Sequence, residues 1–419
     1  MSRLRDAPRK ILPFLTPLTP RTIGAEWARV PEDERAYVRG ASEALLLREP
    51  SERVALHVAL LIANIARFDA PRRWPGLLPS LLAASRWEEG GTSAAGKARA
   101  LRCLKHVFAA LGGTRASGGG AAGAAEDARA THAAATALFP QLASEWRAHA
   151  DAAASADRAR LALRCLAALR GLFRMLPGLS APELGMSSLM EAFLAHLGAG
   201  VEAPGAGAPQ GEAAALRAKH FRLVAECVAA AMDASAADFV PFLGPFVAVF
   251  ARGVLQLPPD ALGEDPKRAH ALTRFLANAL LCPSYKPRRP AAGDDGGIAP
   301  GSPPDSPPPL ISADDDWGAL LGGPPRRSVE EQARAAAVAS AAEAAFAPLF
   351  EGDALVRALV ERYLVPTQAE LDEWRADPEA LLAAGEPAAA GADTARAVPC
   401  VAMRCTVRCA DFCCFLTPN

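Results

Sequence analysis

Three groups of residues carry side chains of the right type to do chemistry. Gly91-Thr92-Ser93-Ala94-Ala95-Gly96-Lys97-Ala98 nearly spells a phosphate-binding loop. Such a loop needs a Ser or Thr after its lysine to hold magnesium, and it must follow a strand. Ala98 stands at the hydroxyl position and Leu77 to Trp87 reads as helix, so the stretch is expected to be a loop entering a helix. Near the end of the chain, Cys400, Cys405, Cys409, Cys413 and Cys414 crowd together as thiols that grip zinc do. Their spacings match no zinc knuckle and no histidine follows, so no metal is assigned. The seven histidines (His57, His106, His132, His149, His196, His220 and His270) stand singly, without an HExxH or GxSxG motif. No catalytic residue, cofactor or metal emerges, and the chain reads as a non-enzyme. Two weaker signals remain: Lys286-Pro287-Arg288-Arg289-Pro290 is similar to a short basic localisation signal, and Ser302-Pro303 and Ser306-Pro307 offer phosphorylation sites.

The elements that position these residues read as helices. In Ser51 to Phe68, Val54, Val58, Leu61, Ile62 and Ile65 form one apolar stripe at helical spacing. Arg53, His57, Asn64 and Arg67 fall together on another face and make a candidate partner-binding surface. Further helical segments are expected at Trp74 to Ala84 and at about 97–111, 124–150, 155–176, 182–198, 211–233, 238–256, 266–282 and 328–364. Ser180 with Glu183, Ser328 with Glu331 and Thr367 with Glu370 match the capping box, in which side chain and backbone donor satisfy each other.

Composition agrees with this reading. Hydrophobic residues make up 51% of the 419 residues but aromatics only 6%, and long stretches are alanine-rich and nearly bare of strand-forming residues. Lys+Arg 45 against Asp+Glu 46 leaves a net charge of −1, without a basic stripe visible outside short clusters, so nucleic acid is disfavoured as a partner. Cys103, Cys165, Cys227 and Cys282 lie in helical, apolar contexts, as reduced buried thiols do. The longest apolar stretch, Phe239 to Ala251, is short for a bilayer and holds Pro241 and Pro245, so membrane insertion is not expected. A soluble intracellular protein follows.

Helices of this length, each with one main apolar stripe, are read as stacked pairs. A pair cannot bury its face alone, and neighbours close the core between them. The expected fold is all-α, a HEAT-repeat-like right-handed helical solenoid of about 40 residues per repeat, with a globular bundle as the alternative. Gly112 to Ala125 reads as a Gly/Ala inter-helix loop, and Pro283 to Pro325 as a disordered Pro/Gly/Asp-rich insertion. The domain reading is a basic, proline-rich N-terminus over 1–20, HEAT-like repeats over 21–282, the insertion over 283–326, a further helical repeat over 327–396 and a Cys-rich tail over 397–419.

Two blocks are specific. Glu49-Pro50 and the aliphatic helix Val54 to Ala66 run into Arg67-Phe68-Asp69-Ala70-Pro71-Arg72-Arg73-Trp74-Pro75-Gly76-Leu77-Leu78-Pro79. Later, Leu359-Val360 and Tyr363-Leu364 are followed by Thr367, Glu370-Leu371, Trp374, Asp377-Pro378 and Glu379. These blocks, with Tyr285-Lys286-Pro287 between them, resemble the importin-β (β-karyopherin) nuclear transport receptors, and their order and spacing are those of the importin-eleven type. The resemblance runs from about Arg21 to Glu386 and is thin in the alanine-rich middle. It does not extend to Met1–Pro20 or beyond about Ala397, and both ends are expected to be gene-model or splicing artefacts around part of the family's amino-terminal domain. In the first block Asp69 is expected to cap the helix that follows, Pro71 and Pro75 to stiffen the turn and Trp74 to wedge between helices, with Arg67 and Leu77 as further structural residues of the motif.

The resemblance implies a receptor that binds protein cargo on the inner surface of the solenoid, contacts Phe-Gly nucleoporins with its outer helices and exchanges cargo against the GTP form of the Ran GTPase. It also implies shuttling between nucleus and cytoplasm, and no catalysis. An exportin of the importin-α recycling type shares the generic parts. A helical-repeat scaffold outside transport is the competing class, and nucleotide-selective Ran binding separates the two. The expectation for the ends is checked by sequencing the transcript: an intact frame at both ends overturns it.

Overall fold

The computed structural model describes residues 26–86, 92–112, 120–151, 155–202, 211–256, 266–286, 328–361, 372 and 375–376. The described residues are helical and contain no strand. In chain order the helices are α1 (Glu32–Arg48), α2 (Glu52–Asp69), α3 (Leu77–Ser85), α4 (Ala94–Gly112), α5 (Gly120–Asp151) and α6 (Ala156–Phe173). They continue with α7 (Met186–Glu202), α8 (Glu212–Ala234), α9 (Ala236–Gln256), α10 (Pro266–Leu281), α11 (Val329–Phe346) and α12 (Ala354–Leu359).

Contacts sort α1–α10 into two layers, and α11 and α12 pack on α9. The even-numbered helices stack in order, α2 on α4, α4 on α6, α6 on α8 and α8 on α10. The odd-numbered helices cover one side of that stack: α1 packs on α2 and α4, α3 on α4, α5 on α6, α7 on α8, and α9 on α8 and α10. This is the stacked-pair architecture expected of a helical repeat, an all-α fold in which each unit contacts its neighbours in sequence.

Local chemistry starts the helices where the layers need them. Ser51 and Ser155 cap α2 and α6 by accepting from the backbone N–H groups of Val54 and Arg158. Ser328 and Glu331 form both arms of the capping box on α11. In the core, Phe139 and Phe173 meet edge-to-face at 5.2 Å, tying α5 to α6. Gly171 lets α6 approach α4: a Cβ there would lie 3.1 Å from the Cβ of Phe108.

Several expectations are corrected. The helix α1 was absent from the pattern of apolar stripes, because its buried positions Arg39, Ser42 and Leu46 include only one large hydrophobic residue. Val54 is 43% exposed, at the end of the α2 stripe, where the helix has begun but the core has not. Ser180 and Glu183 form no capping box: Pro182–Leu184 is a 3-10 turn, and Gly185 in the left-handed conformation (φ 59°) resets the chain for α7. The segment 328–364 is not one helix, since Ala347–Leu349 tightens to 3-10 and Gly352 (φ 93°) breaks the run before α12. The Gly/Ala stretch becomes helical from Gly120 onward. Pro283–Tyr285 belongs to the folded part, with Tyr285 buried and its hydroxyl donating to the Ala236 carbonyl at 3.0 Å. The remainder of the insertion and the Thr367–Glu370 pair lie outside the described residues.

Helix α9 is 21 residues long and by length and composition could cross a membrane, contrary to the shorter span expected. It packs within the array: Phe239, Leu243, Phe246, Phe250 and Val254 are buried, and α9 lies against α7, α8, α10 and α11. Cys103, Cys165 and Cys227 are fully buried free thiols on α4, α6 and α8, with burial pushing all three well above the usual thiol range. They are equally spaced along the chain. Two of them bridge successive rungs, Cys103 Sγ to the Ala59 carbonyl at 4.0 Å and Cys227 Sγ to the Leu166 carbonyl at 3.2 Å. The middle of the array is therefore more regular than a search for family repeats suggests.

The histidines are not all solitary. His196 on α7 and His220 on α8 lie 5.1 Å apart, centroid to centroid, beside Trp146 of α5. Trp146 Nε1 donates to His220 Nε2 at 3.4 Å, which requires that nitrogen to be unprotonated. Burial, reinforced by His196, holds His220 down at about 4. The unfolded chain binds a proton between pH 6.5 and 4 that the folded chain refuses, so stability is full above pH 6.5 and falls as pH drops toward 4. Denaturant titrations at pH 7 and pH 5 are expected to differ by on the order of 2 kcal/mol from this group. His220→Gln, which keeps an acceptor for Trp146, is expected to flatten that part of the pH dependence.

Candidate functional site

The residues of the first block build a joint between the first two helices and a helical turn at 26–29. Asp69 closes α2 with its carboxylate buried. Its Oδ2 accepts from Trp27 Nε1 at 3.1 Å and from Arg39 Nη1 of α1 at 2.9 Å. Arg39 also donates to the Arg73 carbonyl at 3.2 Å and pairs with Glu32. Trp74 is buried, and its Nε1 donates to Glu43 of α1 at 2.8 Å, while Ser80 donates to the other Glu43 oxygen at 3.0 Å. Leu77 is fully buried at the start of α3. Pro71, after a cis peptide bond, is half-buried, and Pro75 is exposed.

This corrects the role expected of Asp69. The N-cap of α3 is Gly76, without a side-chain cap, and Asp69 points back to α1 rather than forward. Arg39, Glu43 and Trp27 went unnoticed in the sequence. Arg39 and Glu43, one helical turn apart, were the available signal, since a charged pair so spaced reaches one face.

The second feature is the solvent face of the even layer. On α2, Arg53, His57 and Asn64 are exposed and Arg67 is half-buried, on one stripe as expected. Leu60, 39% exposed, sits among them. The stripe meets the next rung through Glu52, which pairs with Arg99 and Arg102 of α4, both at 3.0 Å. Those pairs hold the Glu52 carboxyl below its usual range, against burial, which raises it. Glu226 of α8 pairs with Arg170 of α6 and with Arg222 at 3.6 Å. Arg160 of α6 pairs with Glu212 of α8 and, at 2.8 Å, with Asp157.

Individual helices are strongly one-signed. Helix α4 carries Lys97, Arg99, Arg102 and Lys105, and α10 carries Lys267, Arg268 and Arg274, neither with a carboxylate. In the odd layer α3 has no charged residue, and α7 carries Glu191 and Glu202 without a base. Helix α8, between α6 and α10, carries Glu212, Glu226 and Asp233 against Arg217, Lys219 and Arg222, so the even layer holds basic rungs without a continuous basic stripe. Lys97, the lysine of the loop-like stretch, is buried within the first turns of α4 and cannot present itself to a phosphate. Among the described residues no His, Cys, Asp and Glu gather as a metal site. Trp374, Asp377 and Pro378 lie outside the described residues.

No protein-family model matches the chain. Over 134 residues the chain is 29% identical to Importin-11 of Mus musculus and to Importin-11 of Homo sapiens, which is 31% of this chain and 12% of each relative. The resemblance is to the importin-β family. The solved structure of Lph2, a bidirectional nuclear transport receptor in S. cerevisiae, superposes with a TM-score of 0.59 at 15% identity, covering 90% of this chain and 34% of that one. At that identity the likeness establishes the fold, a karyopherin-like helical solenoid. The chain spans about an eighth of the length of the curated relatives it matches.

Removing one partner of a buried ion pair leaves the other charge stranded. Asp69→Ala is therefore expected to destabilise the chain by about 3 kcal/mol or more in denaturant titrations. Arg39→Ala with Asp69→Ala together should cost clearly less than the sum of the single changes.

Proposed function

We propose that this chain is part of a nuclear transport receptor of the importin type. In this reading it carries protein cargo through the nuclear pore, releases it to the GTP form of Ran, touches Phe-Gly nucleoporins and shuttles between nucleus and cytoplasm. The reading rests above all on the two-layer stack, which follows the solved transport receptor over 90% of its own length. The partial identity with Importin-11 supports it independently.

The architecture suits the task physically. Each rung touches only its neighbours, so small rotations between rungs add up along the stack. Two partners that prefer different curvatures are then coupled, and binding of one weakens the other by the same factor in both directions. No bond is made or broken, and the reading assigns no catalytic residue. The exposed stripe Arg53, His57, Asn64 and Arg67 is the proposed partner-contact face on α2, and residues 21–282 with 327–396 are the proposed repeat region. Trp74, Pro75 and the Asp69 joint serve as structure rather than as contact.

The test is capture of Ran, loaded with a GTP analogue or with GDP, on the full chain. Selective retention of the GTP form is the expected outcome. Equal retention of both forms, or of neither when the chain is restored within its longer context, favours a plain scaffold.

A further inference from the structure

We propose that Arg99, Arg102 and Arg164, gathered where α2, α4 and α6 meet, form a binding site for a dianionic phosphate monoester. The proposal goes beyond the transport reading and does not rest on it.

Three successive rungs build the site. Glu52, in the first turn of α2, accepts from Arg99 Nε through one carboxylate oxygen and from Arg102 Nη2 through the other, both at 3.0 Å. Arg99 is buried and also donates to the Pro50 carbonyl at 3.5 Å. Arg164 reaches across from α6 and donates through Nη1 to the Ala98 carbonyl at 3.2 Å. Ala98 lies one turn before Arg102 on α4, and Arg102 is the strongest charge that Arg164 feels.

Three guanidinium groups therefore share a single carboxylate, which leaves two positive charges in excess among the described residues. The acids at the start of α6 and α8, Asp157 and Glu212, are held by Arg160. The excess sits where water is partly excluded. Arg164 is half-buried, and burial, then Arg102, disfavour its charge, with Glu52 the weaker opposing influence. A hydrogen bond to a neutral carbonyl does not compensate that charge. The remaining N–H groups of Arg164 are open to water, so an anion can reach them.

The size of the excess selects the ligand. A carboxylate brings one negative charge and two coplanar oxygens, and Glu52 already supplies that. A phosphodiester also brings one charge per phosphate. A phosphate monoester brings a charge of about −1.5 to −2 and three strong acceptor oxygens. It can match the excess and accept from Arg102 on one rung and Arg164 on the next at once. Guanidinium forks suit such a group better than ammonium groups do. A phosphorylated side chain of a partner and free phosphate share this chemistry.

The experiment uses the full chain with two probes, a fluorescein-labelled peptide carrying one phosphoserine, read by anisotropy, and inorganic phosphate alone, read by isothermal titration. Peptides with Glu or unmodified Ser at the same position and a single-stranded RNA of equal length are the comparisons. The phosphoserine peptide is expected to bind at least about ten-fold more tightly than the Glu peptide, and the Ser peptide not at all. Arg164→Gln and Arg102→Gln should each weaken binding by about ten-fold. Glu52→Gln removes the competing carboxylate and should strengthen binding, a gain that a merely structural role for these pairs does not give. Arg252→Gln, on α9, should change nothing. Thermal midpoints of all variants show that each is folded at the assay temperature. Binding of the peptide assigns the source to a phosphorylated side chain, and binding of inorganic phosphate alone assigns it to the free ion. Binding of neither overturns the proposal. So do equal binding of the Glu peptide, tighter binding of the RNA, indifference to Arg164→Gln, or weaker binding by Glu52→Gln. Ran capture bears on the transport reading alone, so the two fail separately.

Discussion

Burial on three sides of α4, α6 and α8 is the constraint on which the rest depends. Helix α6 lies between α4 and α8 and under α5, so its apolar residues Leu161, Leu166, Leu169, Leu172 and Phe173 are all closed off from water. No single helix pair provides enough surface to achieve that, and the core exists only because each rung completes the one before it. The glycine and cysteine positions follow from this closeness. Gly171 admits α4, and the small thiols of Cys103, Cys165 and Cys227 occupy successive rungs where larger side chains would hold the helices apart.

The Asp69 joint meets a different demand of the same architecture. A stack of rungs needs its first pair held at a defined angle, and apolar contact alone does not set angles sharply. Two hydrogen bonds converging on one buried carboxylate oxygen, from Trp27 and Arg39, do so, because each loses its geometry if α1 slides on α2. Trp74 adds a second tether through Glu43, so that the turn between α2 and α3 is tied to α1 at two points. The residues that make the sequence resemble a family are thus mainly those that build its scaffold.

That explains what was legible. Helices with one clean apolar stripe, such as α2, α9 and α10, can be read from periodicity, and the all-α stacked fold follows from their number and spacing. Helix α1 was hidden because its buried face is held by Arg39 and Ser42 rather than by aliphatic residues. The Ser180–Glu183 pair has the spacing of a capping box, yet Pro182 and Gly185 turn the chain too tightly for one, and local sequence could not weigh the competition. Asp69 was recognised as important but its partners were not, since both lie more than two dozen residues upstream. The exposed stripe of α2 was legible as a face, whereas the basic surface beside it was not.

The reason lies in how a repeat distributes constraint. Arg102, Arg164 and Glu226 each precede one of the equally spaced buried cysteines, so they occupy matching positions on three successive rungs. The cysteine faces the stack and must remain small. The residue before it lies partly buried at the edge of the rung, where Arg102 reaches Glu52, Arg164 the Ala98 carbonyl and Glu226 Arg170. Two rungs carry a base there and the third an acid, within a chain whose net charge is −1. Composition averages such positions away, and helical periodicity labels them merely polar. Only the stacking shows that they are neighbours, and that α4 and α10, without a carboxylate between them, belong to the same layer. Polar positions that the core leaves at the edge of each rung, and that the structure aligns, are where a solenoid can vary its charge without altering its fold.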